Sequence, residues 1–436
     1  MSVTKNRAKN ILNLMTARFS KKELFERQRP KLPNEKPLKP SIRPTKTPSE
    51  RALDNYWRIL REHNKLSDED QSILADSHTR DTIEGFSKNI ENCIGTLKIP
   101  LGIIGPLRVN GIFASDDFYV PLATTEATLV ASYARGARLI SEAGGCSVAL
   151  LNDGICRTPA FAFKNVSDAG HFIEWVVAHF NDLKAAAGTT TSHGSLIDIR
   201  THMEGNHVYL SCEYLTGDAA GQNMSTIATQ ALCTYLTESC PVVPEYWFVE
   251  SNFSGDKKAS SISFTTVRGK KVTAEVLLPK ELIEKHLHTT PETMLNYWRM
   301  SALGGVMSGT IGVQGHYANG LTALYLATGQ DAACAAESSM GITRMELRGD
   351  DLYASVTLPN IIVGTVGGGT SLPSQNAGLK ILGLAGAGNV GALAEICGAL
   401  CLAGELSLIG AISANQFSQS HQKLARDKGN KSDETT

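Results

Sequence analysis

The stretch from Ala385 to Ile412 constrains this chain most. It is built almost wholly from Ala, Gly, Leu and other apolar residues, interrupted by Asn389, Glu395 and Glu405. Those polar residues break it before the roughly 18 to 20 apolar positions that a membrane span needs. It therefore reads as buried helix, and a helix apolar on every side needs a large domain around it. The chain is long enough to supply one: 436 residues, 42% of them hydrophobic, allow two or three domains with cores of their own. A formal net charge of -1 gives no general attraction to nucleic acid or to a membrane surface. The nine cysteines stand singly in mostly apolar contexts, without a Cys-x-x-Cys pair or a metal-ligand spacing. That usage fits reduced, buried thiols in a cytosol-like compartment. No signal-peptide core opens the chain. We expect no integral membrane segment, no nucleic-acid partner, no metal and a cytoplasmic location.

Residues 1–50 form a basic arm that becomes proline-rich, with prolines at 30, 33, 37, 40, 44 and 48. It reads as a flexible solubilising tail. A basic amphipathic helix for organelle targeting or membrane-surface binding is the alternative. Residues 159–249 carry their own order: a short strand at 159–163, a helix capped by Ser167 and running to Gly188, strands 195–203 and 207–214 joined at Glu-Gly-Asn, a helix through Leu236 and a strand at 246–249. This β-α-β-β-α-β order is the ferredoxin-like plan, not a Rossmann one. We expect an α+β protein in which this small domain is inserted into a larger, mainly helical one, made from 51–158 and 250–410 around a central buried helix. Residues 411–436 read as a polar C-terminal flap with a disordered end.

Several short segments have chemistry within reach. Small residues surround Asp256-Lys257-Lys258, so backbone can pack closely about a cationic site, where a cation stabilises a negative oxygen better than it does in water. Such a triplet is also an ordinary surface turn. Thr124-Thr125-Glu126 reads as the cap of a helix running to Gly144, and Glu126 could serve the helix dipole alone. Asp331 sits at a helix start and doubles as a candidate cap. His421 has the right residue type to protonate a leaving group near neutral pH, although most histidines in a polar tail are simply solvated. The run Gly364-Thr-Val-Gly367-Gly368-Gly-Thr370 and the junction Gly217-Asp218-Ala-Ala-Gly221-Gln222-Asn223-Met224 would let backbone amides approach an anion. Neither has the Rossmann or Walker spacing.

Taken in order, Glu91-Asn-Cys-Ile-Gly95, Ile99-Pro-Leu-Gly-Ile-Ile-Gly-Pro-Leu107, Thr-Thr-Glu126, Gly217–Met224, Asp256-Lys257-Lys258, Gly329-Gln-Asp331-Ala-Ala, Gly364–Thr370 and Ser420-His421 resemble the 3-hydroxy-3-methylglutaryl-coenzyme A reductases, of the class I kind without the membrane anchor, over about residues 80–425. The resemblance implies reduction of a thioester to an alcohol by two hydride transfers, yielding mevalonate and free coenzyme A. It assigns Lys257 to the carbonyl oxygen, Glu126 to proton donation, Asp331 to linking the two, and His421 to the departing thiolate. Arg157, Asn252, Asp256, Lys258, Arg299 and Asn319 would line the acyl pocket. Asp218, Gly221, Gln222, Asn223, Met224, Gly364, Gly367 and Gly368 would meet the nicotinamide cofactor. It also implies a homodimer, or a tetramer built as a dimer of dimers, with sites at the subunit interface.

The chain departs from the family pattern at named places. The loop Thr189–Ser195 lacks the arginine expected for a 2′-phosphate, so NADPH is the expectation and NADH stays open. Arg299 stands where lysine is usual, and Glu250-Ser251 where Ser-Gly is usual. Asp427 follows Arg426 where animal relatives carry a regulatory serine, so that regulation should be absent. Three other readings remain: oxidation of mevalonate with NAD, reduction of a related acyl-coenzyme A, and a non-catalytic acyl-coenzyme A sensor.

Overall fold

The computed structural model describes residues 47–266 and 268–415, with isolated positions before residue 47. Most of the basic arm, His421 and the flap from residue 416 onward lie outside the described residues. The chain divides into two compact units, Met1–Thr96 and Leu97–Thr436.

The first unit contains α1 (Glu50–His63), α2 (Asp68–Leu74) and α3 (Ser77–Asp81). Each starts on a side-chain cap, from Ser49, Ser67 and Asp76 respectively. α1 buries Leu53, Tyr56 and Trp57. The Glu91–Gly95 motif anchors it. Tyr56 donates to Asn92 Oδ1 at 2.8 Å and Trp57 Nε1 to the Ile94 carbonyl at 2.8 Å. Gly95 has φ 141°, and a side chain there would run into the Leu74 carbonyl.

The second unit runs β1 (Leu101–Gly111), β2 (Ser115–Ala123), α4 (Leu129–Glu142), β3 (Cys146–Asn152), β4 (Ile155–Arg157), β5 (Ala160–Ala162), α5 (Val166–Ala178), α6 (Phe180–Gly188), β6 (Ser195–Glu204), β7 (His207–Leu215), α7 (Gln222–Ser239) and β8 (Tyr246–Phe248). It continues with β9 (Lys270–Leu278), α8 (Lys280–Leu287), α9 (Pro291–Ser308), α10 (Tyr317–Thr328), α11 (Ala335–Ser338), β10 (Ile342–Arg348), β11 (Asp351–Ile361), α12 (Pro373–Ile381) and α13 (Val390–Ser413). The fold is mixed α+β. One sheet has the order β10-β11-β9-β3-β1-β2, antiparallel except for the β1–β3 pair. In the other, β8, β5, β7 and β6 lie side by side and antiparallel, and β4 extends β7 beyond β5.

α13 is long and apolar enough to cross a membrane, yet 83% of its most apolar window is buried inside the protein. Its two acids are fully used. Glu395 accepts from the amides of Ile112, Phe113, Ala114 and Leu150. Glu405 accepts from the amides of Gly315 and His316 and from the Thr343 hydroxyl. Buried carboxylates persist because donors surround them. α4 crosses α13 closely, since a Cβ at Gly136 would strike the Ala403 backbone.

Three expectations need correction. The larger part has more helix than strand but also holds the six-stranded sheet, which the expectation of a mainly helical domain left out. β9 alternates buried and more exposed positions, the period of a half-buried strand. The helix expected from Thr124 begins at Leu129. Thr128, at φ 76°, is left-handed and stops the helix from starting earlier, so Glu126 lies in the preceding loop. The helix expected from Ser167 to Gly188 is capped by Asn165 and broken at His179, whose ring stacks on Trp175.

Candidate active site

The Asp-Lys-Lys loop is a strained turn. Asn252, Gly255 and Lys257 take φ of 66°, 74° and 54°, a region in which only glycine is unstrained. A polar scaffold holds it. Glu250 Oε1 accepts from the Asn252 amide at 2.7 Å, and the Lys258 ammonium donates to the Asp256 carbonyl at 2.7 Å. Asp256 meets two arginines: Arg157 Nη1 at 2.9 Å on Oδ2, and Arg268 on Oδ1. Burial alone would raise the Asp256 carboxyl, but Arg268, Arg157 and Lys257 outweigh it and hold it below the usual carboxylate range.

Arg268 is 1% exposed. It also donates to the Cys156 carbonyl at 2.6 Å, Gln222 Oε1 at 3.1 Å and Glu337 Oε2 at 3.1 Å. Glu337 is fully buried and takes a further bond from Asn360 at 3.1 Å. Burial pushes its carboxyl up despite Arg268. Neither Arg268 nor Glu337 stood out in the sequence. Glu337 lies in Ala335-Ala-Glu-Ser-Ser339, a single acid among small residues, and the logic applied to Lys257 would have found it. A lone arginine before a strand gave no signal for Arg268.

Lys257 reaches across to Asp331, Nζ to Oδ2 at 2.8 Å, with both side chains a little under half exposed. That hydrogen bond raises the lysine above its ordinary value against a smaller desolvation effect, so it stays cationic at neutral pH. Asp331 also accepts from the Ala333 amide at 3.0 Å, the cap expected of it.

Glu126 is elsewhere. Its carboxylate accepts from Asn319 Nδ2 at 3.0 and 3.2 Å, in the first turn of α10. The loop before that turn is fixed by Glu405, and Tyr133 accepts from the Gly320 amide at 2.9 Å while donating to the His316 carbonyl at 3.1 Å. Among the described residues, no hydrogen bond or ion pair joins Glu126 to Lys257 or Asp331. α10 explains this. Asn319 lies at its start and Asp331 just past its end, and at 1.5 Å per residue the nine steps to Thr328 span about 14 Å. One chain thus offers two halves, Lys257–Asp331 and Glu126–Asn319.

The two glycine-rich segments meet. The Thr365 amide donates to the Asp218 carbonyl at 2.9 Å, and a Cβ at Gly364 would lie 2.6 Å from the Ala220 nitrogen. The Gln330 side chain bonds both backbone groups of Gly364. The Asp218 carboxylate accepts from the Val390 amide at 3.2 Å, at the start of α13. Gly221, at φ 76°, precedes α7 without a side-chain cap, so first-turn amides of that helix keep their donors for a ligand. Gly367 and Gly368 take φ of 74° and 53°. The Thr365 hydroxyl is buried with no hydrogen-bond partner among the described residues. Uncapped amides, close-approach glycines and an orphan hydroxyl fit a phosphorylated dinucleotide. Met224 takes a bond from the Thr191 hydroxyl at 3.0 Å, Gln222 serves Arg268 and Cys334, and Asn223 is exposed. Arg299 is exposed on α9, beside exposed Met300 and Leu303.

The sequence profile of the family described as "Hydroxymethylglutaryl-coenzyme A reductase" matches residues 52–426. The 3-hydroxy-3-methylglutaryl-coenzyme A reductase of Pyrococcus abyssi is 42% identical over 355 residues, covering 79% of this chain and 86% of the relative. That of Methanothermobacter thermautotrophicus is 42% identical over 376 residues, covering 86% and 94%. A solved class II reductase from Streptococcus pneumoniae, bound to NADPH in open conformations, superposes with a TM-score of 0.61. It is 18% identical, with 82% of this chain and 96% of that one covered. At that identity the likeness is one of fold.

Proposed function

This chain belongs to the hydroxymethylglutaryl-coenzyme A reductase family, and we propose that its reductive site is complete only where the Lys257–Asp331 half of one protomer meets the Glu126–Asn319 half of a second. The reaction converts 3-hydroxy-3-methylglutaryl-coenzyme A to mevalonate and free coenzyme A. A nicotinamide cofactor, NADPH in our reading, would supply one hydride each time it binds, so two molecules would be used in succession per turnover. The Lys257 ammonium stabilises the oxygen on which negative charge develops, in a site drier than bulk water. Asp331 keeps it charged and aimed. Glu126, oriented by Asn319, gives the proton to the aldehyde oxygen, and His421 gives one to the coenzyme A thiolate. Arg157, Asn252, Asp256, Lys258 and Arg299 bind the acyl part. The observation that carries the reading is α10 itself, whose length keeps the proton donor and the oxyanion cation apart within one chain.

In our reading Asp218, Gly221, Gln222, Asn223, Met224, Gly364, Gly367 and Gly368 hold the cofactor. The domain 159–249, which carries the first five of these, is in our reading a ferredoxin-like insert, supported by its strand order β8-β5-β7-β6. The larger domain would be 51–158 with 250–410 around α13, preceded by an arm at 1–50 and followed by a flap at 411–436. A dimer, or a dimer of dimers, in the cytoplasm completes the proposal. NADH is the second reading of the cofactor, because no arginine occupies Thr189–Ser195 and Thr191 is already bonded to Met224.

Incubating the full-length protein with the thioester and each nicotinamide, while following nicotinamide absorbance and thiol release, tests the reading. Oxidation of two nicotinamides per coenzyme A released is expected, faster with NADPH. Thioester binding without turnover would instead identify a non-catalytic acyl-coenzyme A reader.

A further inference from the structure

The arginine assigned to the acyl pocket is engaged by a carboxylate of its own chain. Arg157 Nη1 lies 3.0 Å from Glu250 Oε2 and 2.9 Å from Asp256 Oδ2, and its side chain is 6% exposed. The other Asp256 oxygen is committed to Arg268. Glu250, at 27% exposure, faces the open side of the cluster, and its Oε1 closes the loop onto the Asn252 amide. Around this loop Arg157, Lys257, Lys258 and Arg268 are balanced one for one by Glu250, Asp256, Asp331 and Glu337. From these groups an incoming carboxylate meets no net positive charge, and Arg157 Nη1 is already taken by Glu250 and Asp256 while its Nε is buried, without a partner among the described residues. Position 250 is also where the sequence departs from the family pattern.

We propose that Glu250 is a specificity-determining residue of the acyl pocket, an internal competitor that holds Arg157 against an acyl carboxylate. Binding an acid-ended acyl group then requires breaking the Glu250–Arg157 pair, whereas binding an uncharged branched 3-hydroxyacyl group does not. The site accordingly discriminates weakly between acid-ended and neutral 3-hydroxyacyl thioesters. The inference rests on the reading that Arg157 faces the acyl end of the substrate.

Calorimetric titration of the full-length protein, without nicotinamide, separates the possibilities. The two ligands are 3-hydroxy-3-methylglutaryl-coenzyme A and 3-hydroxy-3-methylbutyryl-coenzyme A, which lacks the carboxylate. Glu250→Gln keeps an acceptor for the Asn252 amide but removes the charge. It should tighten the first ligand by about tenfold and leave the second within about twofold. Glu250→Ser, which leaves no side chain able to pair again with Arg157, should give the same split. An equal change for both ligands, or weaker binding of the carboxylated one, overturns the proposal. Adding Arg157→Gln to Glu250→Gln should erase the gained selectivity. If the selectivity survives, Arg157 is not the carboxylate's partner, and the reading beneath the proposal fails with it.

Discussion

Lys257 is kept charged by a hydrogen bond to Asp331 rather than by deep burial, so its contributions to stability and to chemistry should separate. Exposed ion pairs contribute at most about 1 kcal/mol to stability. An oxyanion contact contributes a factor of about 100 to 1,000 in kcat. Lys257→Ala should therefore melt close to the parent in calorimetry while losing activity by that factor or more. Arg268 is the reverse case. Its guanidinium is the partner of the fully buried Glu337. Removing one member of such a pair leaves an uncompensated charge and costs about 3 to 5 kcal/mol. Arg268→Ala should lower the urea midpoint accordingly, and an unchanged midpoint would show that the network carries no stability. The sequence made the charged triplet visible, because small neighbours set it apart. It hid Arg268, because nothing in a run of residues shows which acids will fold against an arginine.

Among the elements, α4 and α8 are joined at Glu142. Arg138 on α4 and Lys285 and His286 on α8 surround its carboxylate, with Nε2 of His286 at 2.7 Å. Hydrogen bonds from Arg138 first, then His286 and Lys285, hold it down to about 2. A depressed carboxyl stabilises the fold above its unfolded value and loses that contribution as pH falls through its folded value. Glu142→Gln should thus melt below the parent at neutral pH, with the two converging as pH falls from about 4.5 towards 2. A gap that stays constant across that window would remove Glu142 from the account. The helix α13 was legible as a buried apolar run with two acids. The start of α4 was not, since a Thr-Thr-Glu cap signal cannot reveal that Thr128 adopts a left-handed backbone and delays the helix by a turn.

For the molecule as a whole, the sequence identified the chemical groups but not that a single chain divides them between the two ends of α10. Glu126, Lys257 and Asp331 were expected as one cluster. Within a chain they form two, because Asn319 and Asp331 sit at opposite ends of α10. Spacing along the chain could have warned of this, whereas a site completed by a second copy, as proposed, would leave no local pattern to read. The most direct measurement combines two inactive chains, Lys257→Ala and Glu126→Gln, co-expressed in equal amounts and purified together without separating the pairings. In a two-fold dimer with shared sites, random pairing restores one intact site in half of the dimers, so activity should return to about a quarter of the parent's. If both variants fold and bind the thioester, yet their mixed assemblies stay as inactive as either alone, the site is not shared between protomers.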